Sequence, residues 1–199
     1  MLQMAAGLAH LQKECAAFFK QIYVGEDRVL VFGEGEIPAR LMLIGEAPGE
    51  QEALQRRPFV GKAGKNLDQF LACVGLERKQ LYITNAVKFR PTRQSAAGRT
   101  VNRTPTSEEI ALWRPWLLRE IALVRPQIVA TLGNVPLRAL TGKSMTIGEV
   151  HGTFLDPSDW SARVFPLYHP ASVIYRPALQ QVYVQDVARL AEALRRDDI

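Results

Sequence analysis

The stretch that decides the fold is LMLIGEAPGE at positions 41–50. Its first four residues are all apolar, and a run that short, closed by a glycine, reads as a strand buried on both faces of a sheet. Three more segments have the same character: LYITNAV at 81–87, QIVATL at 127–132 before Gly133, and VFPLY at 164–168. Segments with helical spacing separate them. The helix over 61–74 ends at Gly75 as a C′ glycine. The helix over 108–124 is capped by Thr106 or Ser107, and Glu108 and Glu109 in its first turn favour the helix dipole. A short helix over 135–140 and a closing one over 182–195 follow, and another covers 2–20 at the start. Residues 29–32 read as a short additional strand, with Gly33, Gly35 and Pro38 turning the chain after it, and 90–106 reads as a polar loop. Short apolar strands alternating with helices predict an α/β fold: a three-layer α/β/α sandwich around a central, mainly parallel four-stranded sheet. We expect one domain over 1–199, with 1–28 an N-terminal helix and extension packed on the core.

Composition narrows the class. A chain of 199 residues, 47% hydrophobic and 23% charged, is an ordinary globular protein rather than a disordered or fibrous one. Lys and Arg number 25 against 20 Asp and Glu, an excess of +5 that suits a polyanionic partner without specifying one. The two cysteines, Cys15 and Cys73, make no disulfide framework, which predicts a reduced, cytoplasmic protein. The three histidines (His10, His151, His169) have no metal-ligand spacing. Residues 1–19 carry Lys13 and Glu14 and match neither a signal peptide nor a membrane span, so no membrane partner is expected. A monomer is the simplest expectation.

In open parallel sheets ligands bind beyond the carboxyl ends of the strands. The polar residues at or just past those ends are Glu46, Asn85 and His169, which should converge on one crevice.

Four segments around these positions carry a resemblance: GEAPGEQE at 45–52, RPFVGKAG at 57–64, YITNAVKFRP at 82–91 and HPASVIYR at 169–176. In this order they closely resemble the family 4 uracil-DNA glycosylases, from about Phe18 to the last helix. The resemblance implies an enzyme of base excision repair. Such an enzyme flips uracil out of DNA and hydrolyses its bond to the sugar, leaving an abasic site.

The residues suit those tasks. A base pulled from the stack needs a new aromatic face, which Phe59 can supply from its loop. The Asn85 amide can pair with the O4 and N3–H edge that distinguishes uracil from cytosine. His169 can donate to O2, where negative charge grows as the glycosidic bond breaks. By the same resemblance, Glu46 orients water and steadies the cationic sugar, the Ala47 amide points into the pocket, and Glu52 crowds the pyrimidine's carbon 5 against a thymine methyl. Glu50 reads as a solvated loop carboxylate. The segment 61–66 lacks the spacing and the Lys-Ser/Thr end of a phosphate-binding P-loop, but Lys62 and Lys65 suit DNA phosphates. Between 88 and 103 stand Lys88, Arg90, Arg93, Arg99 and Arg103 with no acidic residue, a second phosphate-contacting stretch that includes Asn102. Val173, Ile174 and Arg176 resemble the segment that enters the minor groove and fills the gap left by the flipped base.

Two features depart from the family. Its members usually hold a four-iron, four-sulfur cluster on four cysteines, and those positions fall here on Phe18, Gln21, Phe89 and Trp113. No cluster is expected without thiolates, and Phe18, Phe89 and Trp113 should pack together in its volume. The loop over 90–102 is also longer than usual, as in X-type relatives whose loop histidine becomes joined to the abasic sugar. Asn102 occupies that position here and is a poor nucleophile, so turnover is expected. The alternatives are an X-type trap for uracil-DNA and a catalytically degenerate module that only binds.

Overall fold

The computed structural model describes residues 2–73, 75–142, 144–156, 162–176 and 178–196. In chain order the elements are α1 (Leu2–Ile22), β1 (Glu34–Gly35), β2 (Leu41–Gly45), α2 (Glu50–Gln55), α3 (Lys62–Cys73), β3 (Leu81–Asn85), β4 (Thr92–Gln94) and β5 (Thr100–Asn102). They continue with α4 (Ser107–Val124), β6 (Ile128–Leu132), α5 (Asn134–Thr141), α6 (Ile147–Val150), β7 (Arg163–Leu167), α7 (Pro170–Tyr175) and α8 (Ala178–Arg195).

The central sheet runs β1-β3-β2-β6-β7, with β3, β2, β6 and β7 mutually parallel and β1 antiparallel at the edge. The four apolar runs are these four parallel strands. Their side chains alternate between two cores, as a sheet covered on both faces requires. Leu41, Leu43, Ile83, Ala130 and Phe165 face α3 and α8, packing with Leu67, Leu71, Val187 and Leu190. Met42, Ile44, Tyr82, Val129 and Val164 face α1, α4 and α5, packing with Leu11, Leu117, Ile121 and Leu140. The predicted caps are in place: the Thr106 hydroxyl accepts from the Glu109 N–H, and Gly75 has a positive φ of 74° after α3.

The sheet has five strands where four were expected, and its edge strand is Glu34–Gly35 rather than 29–32. Val31 gives one main-chain hydrogen bond, to the Lys88 carbonyl, and no ladder forms there. Leu30 and Phe32 instead pack on a third apolar cluster under α1. The loop over 90–106 contains a small hairpin, β4 paired with β5, turned through the Gly98 N–H to the Ser95 carbonyl. Helices α2, α6 and α7 have four to six residues, too few to show a period in sequence.

Candidate active site

The parallel ladder continues past the ends of β2 and β3, with Ala86 N–H donating to the Gly45 carbonyl at 2.8 Å and Val87 N–H to the Glu46 carbonyl at 3.1 Å. Glu46 and Asn85 are thereby set side by side. His169 follows β7, beyond β6, and the backbone of Gly133 passes close beneath it: a Cβ there would sit 3.4 Å from the His169 Cβ.

Phe59 reaches the same place from the loop between α2 and α3. It holds a left-handed φ of 53°, uncommon for a bulky residue. Neighbours fix that conformation. The Arg78 guanidinium donates to the Phe59 carbonyl at 2.7 Å and also to the Pro58 carbonyl. Glu52 Oε1 accepts from the Val60 and Gly61 N–H groups at 2.9 and 2.7 Å, and its Oε2 accepts from Gly49 at 3.1 Å. The ring then lies against Gly45, where a Cβ would meet Phe59 Cζ at 2.4 Å and Asn85 Oδ1 at 2.5 Å. Only glycine fits between them.

A cavity of about 440 Å³ results, lined by Ala47, Glu52, Phe59, Asn85, Asn102 and His169. A second, of about 540 Å³, adjoins it and holds Glu46, Thr104, Tyr168 and Arg138, with Ala47, Gly49, Asn102 and His169 shared between the two. Phe59, Asn85 and His169 share the first cavity, whereas Glu46, expected in one crevice with Asn85 and His169, lines the second. The Phe59 and His169 rings are 6.3 Å apart and inclined by 32°.

Each polar group has a definite state. His169 Nδ1 accepts from the Ala171 N–H at 3.2 Å, capping α7, so the neutral ring carries its proton on Nε2. Burial depresses its pKa below the ordinary 6.5, which keeps the ring neutral. Asn85 is 3% exposed, yet among the described residues its side-chain amide makes no hydrogen bond. Burial raises the Glu46 carboxyl above the ordinary carboxylate range, a shift opposed by a hydrogen bond from Thr104. The Ala47 N–H has no acceptor among the described residues.

Two positions read as DNA contacts are core residues. Lys88 is 0% exposed. Its ammonium donates to Thr84 Oγ1 at 2.7 Å, to the Asn85 carbonyl at 2.8 Å and to Glu120, so it cannot meet a phosphate. Val173 is 3% exposed in the core beside α8 rather than presented to a groove, and the Ile174 side chain lies outside the described residues. Arg103 forms a two-pronged pair with Glu109 at 2.6 and 2.7 Å, while Arg90 binds Asn102 at 2.6 Å and Glu50 at 3.3 Å. Glu50 is exposed but paired. Lys62, Lys65, Arg93, Arg99 and Arg176 are exposed and make no ion pair among the described residues. Sequence reading missed Arg78 and the buried Glu120. The signal for Glu120 was present, since it shares the core face of α4 with Leu117, Ile121 and Val124.

The positions that the resemblance gives to the cluster ligands lie at or beside an aromatic knot. Phe18 and Phe89 each lie 6.1 Å from the Trp113 ring. Phe89 and Trp113 are fully buried, Phe18 is at the edge, and Phe19, not Phe18, is the deeper ring of α1. Gln21 is exposed, and the cysteines stand apart, Cys15 buried in the knot and Cys73 exposed. A four-thiolate cluster does not fit this donor set.

Fold and cavity together define an α/β protein with a crevice beyond the carboxyl ends of its strands, lined by an aromatic ring and by hydrogen-bonding groups. Residues 32–191 match the Uracil DNA glycosylase superfamily, and the chain belongs to it. It is similar to a type-4 uracil-DNA glycosylase of Saccharolobus solfataricus, 39% identical over 81% of this chain and 74% of that one. Similarity to the type-4 enzyme of Thermotoga maritima is 33%, over 93% and 92% of the two chains. Among solved structures, the crystal structure of WT Pedobacter heparinus SMUG2 shares the fold, with a TM-score of 0.58 at 16% identity over 79% of this chain and 76% of that one.

Proposed function

We propose that this chain excises uracil from DNA by hydrolysing the bond between the base and the sugar. The observation that carries the reading is the Asn85 amide: buried, unpartnered among the described residues and lining the cavity shared by Phe59 and His169. Its amide atoms open onto the cavity and bond to no protein group among the described residues, so their donor and acceptor are left for what enters there. The O4 and N3–H of uracil complete them, whereas cytosine offers the reverse pattern.

The steps follow from the residues. Phe59 stacks on the flipped base. His169 Nε2–H donates to O2 as the base departs with the bonding electron pair, and the Ala47 N–H adds a second dipole. From the adjoining cavity Glu46, as carboxylate, orients the water that attacks the sugar carbon and faces the positive charge building there. Glu52 acts on selectivity through the loop it holds, since its oxygens are engaged by three main-chain N–H groups. We assign phosphate contacts to Lys62, Lys65, Arg93, Arg99 and Arg176. The chemistry uses no iron, and the aromatic knot takes the structural part of a cluster. Iron and acid-labile sulfide analysis of the purified protein tests that point: stoichiometric iron overturns it.

The deciding assay uses a uracil-containing oligonucleotide. Alkali-labile product is expected, and His169→Ala or Asn85→Ala should slow its formation by about 10²–10³-fold. Unchanged rates remove the reading. A band shifted under denaturing conditions would mark a covalent trap instead.

A further inference from the structure

We infer that the buried Lys88–Glu120 pair is a positioning device for Asn85. This rests on the proposed role of Asn85. The ammonium has three donors and each has an acceptor: Thr84 Oγ1, the main-chain carbonyl of Asn85, and Glu120 Oε2. Glu120 is held in turn by the Tyr82 hydroxyl at 2.9 Å and the Thr84 hydroxyl at 3.1 Å. Lys88 and Glu120 are both 0% exposed.

Stability does not call for such a pair, because well-packed apolar residues usually serve a core at least as well. What it does here is local. Asn85 is the last residue of β3, where the strand bends away at 86–89. Ladder bonds fix the chain after it, through Ala86 and Val87. The peptide carbonyl of Asn85 itself is gripped by the ammonium from the other side of the sheet. The ammonium on the carbonyl and the Gly45 carbonyl on the Ala86 N–H hold the two ends of the Asn85–Ala86 peptide, and together they set its plane and with it the direction of the side-chain amide. The amide oxygen sits over Gly45 in the space a side chain would fill, a seat that a turn of the peptide would carry it out of. Gly33 matches the device, since a Cβ there would strike Glu120 Oε1 at 2.6 Å.

The test is a coupling measurement. The double exchange Lys88→Met with Glu120→Gln removes the charges together and keeps acceptors for Tyr82 and Thr84. Its excision rate is measured in the Asn85 and Asn85→Ala backgrounds, at a temperature where circular dichroism shows all four proteins folded. We expect kcat/KM to fall about 10-fold in the Asn85 background and by less than about 2-fold when Asn85 is already alanine. Equal falls in both backgrounds overturn the proposal, as does an unchanged rate in the folded variant. Should Asn85→Ala alone leave excision unchanged, the role of Asn85 fails and the proposal with it. Should it slow excision while the two exchanges add independently, only the positioning claim fails. If the double exchange does not fold, Thr84→Val removes one acceptor of the ammonium and gives the same readout. Coupling to Asn85 of about 3-fold supports the claim, and none overturns it.

Discussion

At the residue scale, the site depends on what is missing from position 45. The Phe59 ring and the Asn85 amide both occupy the space of a side chain there, so Gly45→Ala should abolish excision, read as single-turnover rate, while far-ultraviolet circular dichroism stays native. Protonation gives a second prediction. Because burial raises the Glu46 pKa, the carboxylate that we propose orients water forms at a pH displaced upward from the ordinary value. The acid limb of a kcat/KM profile should lie above that value, and Glu46→Gln should remove the limb along with most of the rate. His169 acts in the opposite sense. Its folded pKa is depressed, so its contribution to stability is complete above pH 6.5 and is lost as pH falls from there through the folded value. His169→Gln should therefore flatten the melting temperature over that window, measured by differential scanning fluorimetry. Asn85 and His169 were legible in sequence because residue type, strand end and motif agreed, and Phe59 because motif and loop did. Lys88 was not: a lysine in a basic run reads as solvated until the fold turns it under the sheet.

At the element scale, the short pieces carry the precision and the long ones carry the legibility. Apolar runs of four to seven residues and helical periods above ten announced the strands and the long helices, whereas α2, α6, α7 and the hairpin gave no period to detect. The extra strand expected at 29–32 failed for a related reason: a run that short satisfies a sheet edge and a cluster wall equally well. Helix α2 matters most among the unforeseen elements, because its Glu52 fastens the Phe59 loop. Glu52→Ala should lower stability by about 1.5–3 kcal/mol in urea unfolding, the range for hydrogen bonds to a charged group. It should also slow excision more than Glu52→Gln, which retains an acceptor.

At the scale of the whole molecule, the layers and the sheet order place the crevice, and the strand ends alone predicted where it is. What sequence could not divide was its interior: Glu46 and Asn85 line adjoining cavities, with His169 and Ala47 in the lining of both. The N-terminal helix joins the core through aromatic rings. Trp113→Ala, made in the fully buried centre of that knot, should cost about 3–5 kcal/mol. We expect one cooperative unfolding transition, seen alike by tryptophan fluorescence and circular dichroism; two separated transitions would mean that α1 and its knot melt on their own.

The clamp on Phe59, with Arg78 on its carbonyl, Glu52 on the next two amides and a left-handed turn between them, has a consequence for recognition. A ring already seated when the guest arrives gains no adaptability from it. On the proposed function, selectivity then comes from refusal rather than accommodation: a base of the wrong outline finds no seat beside the ring, and leaves before any bond is strained.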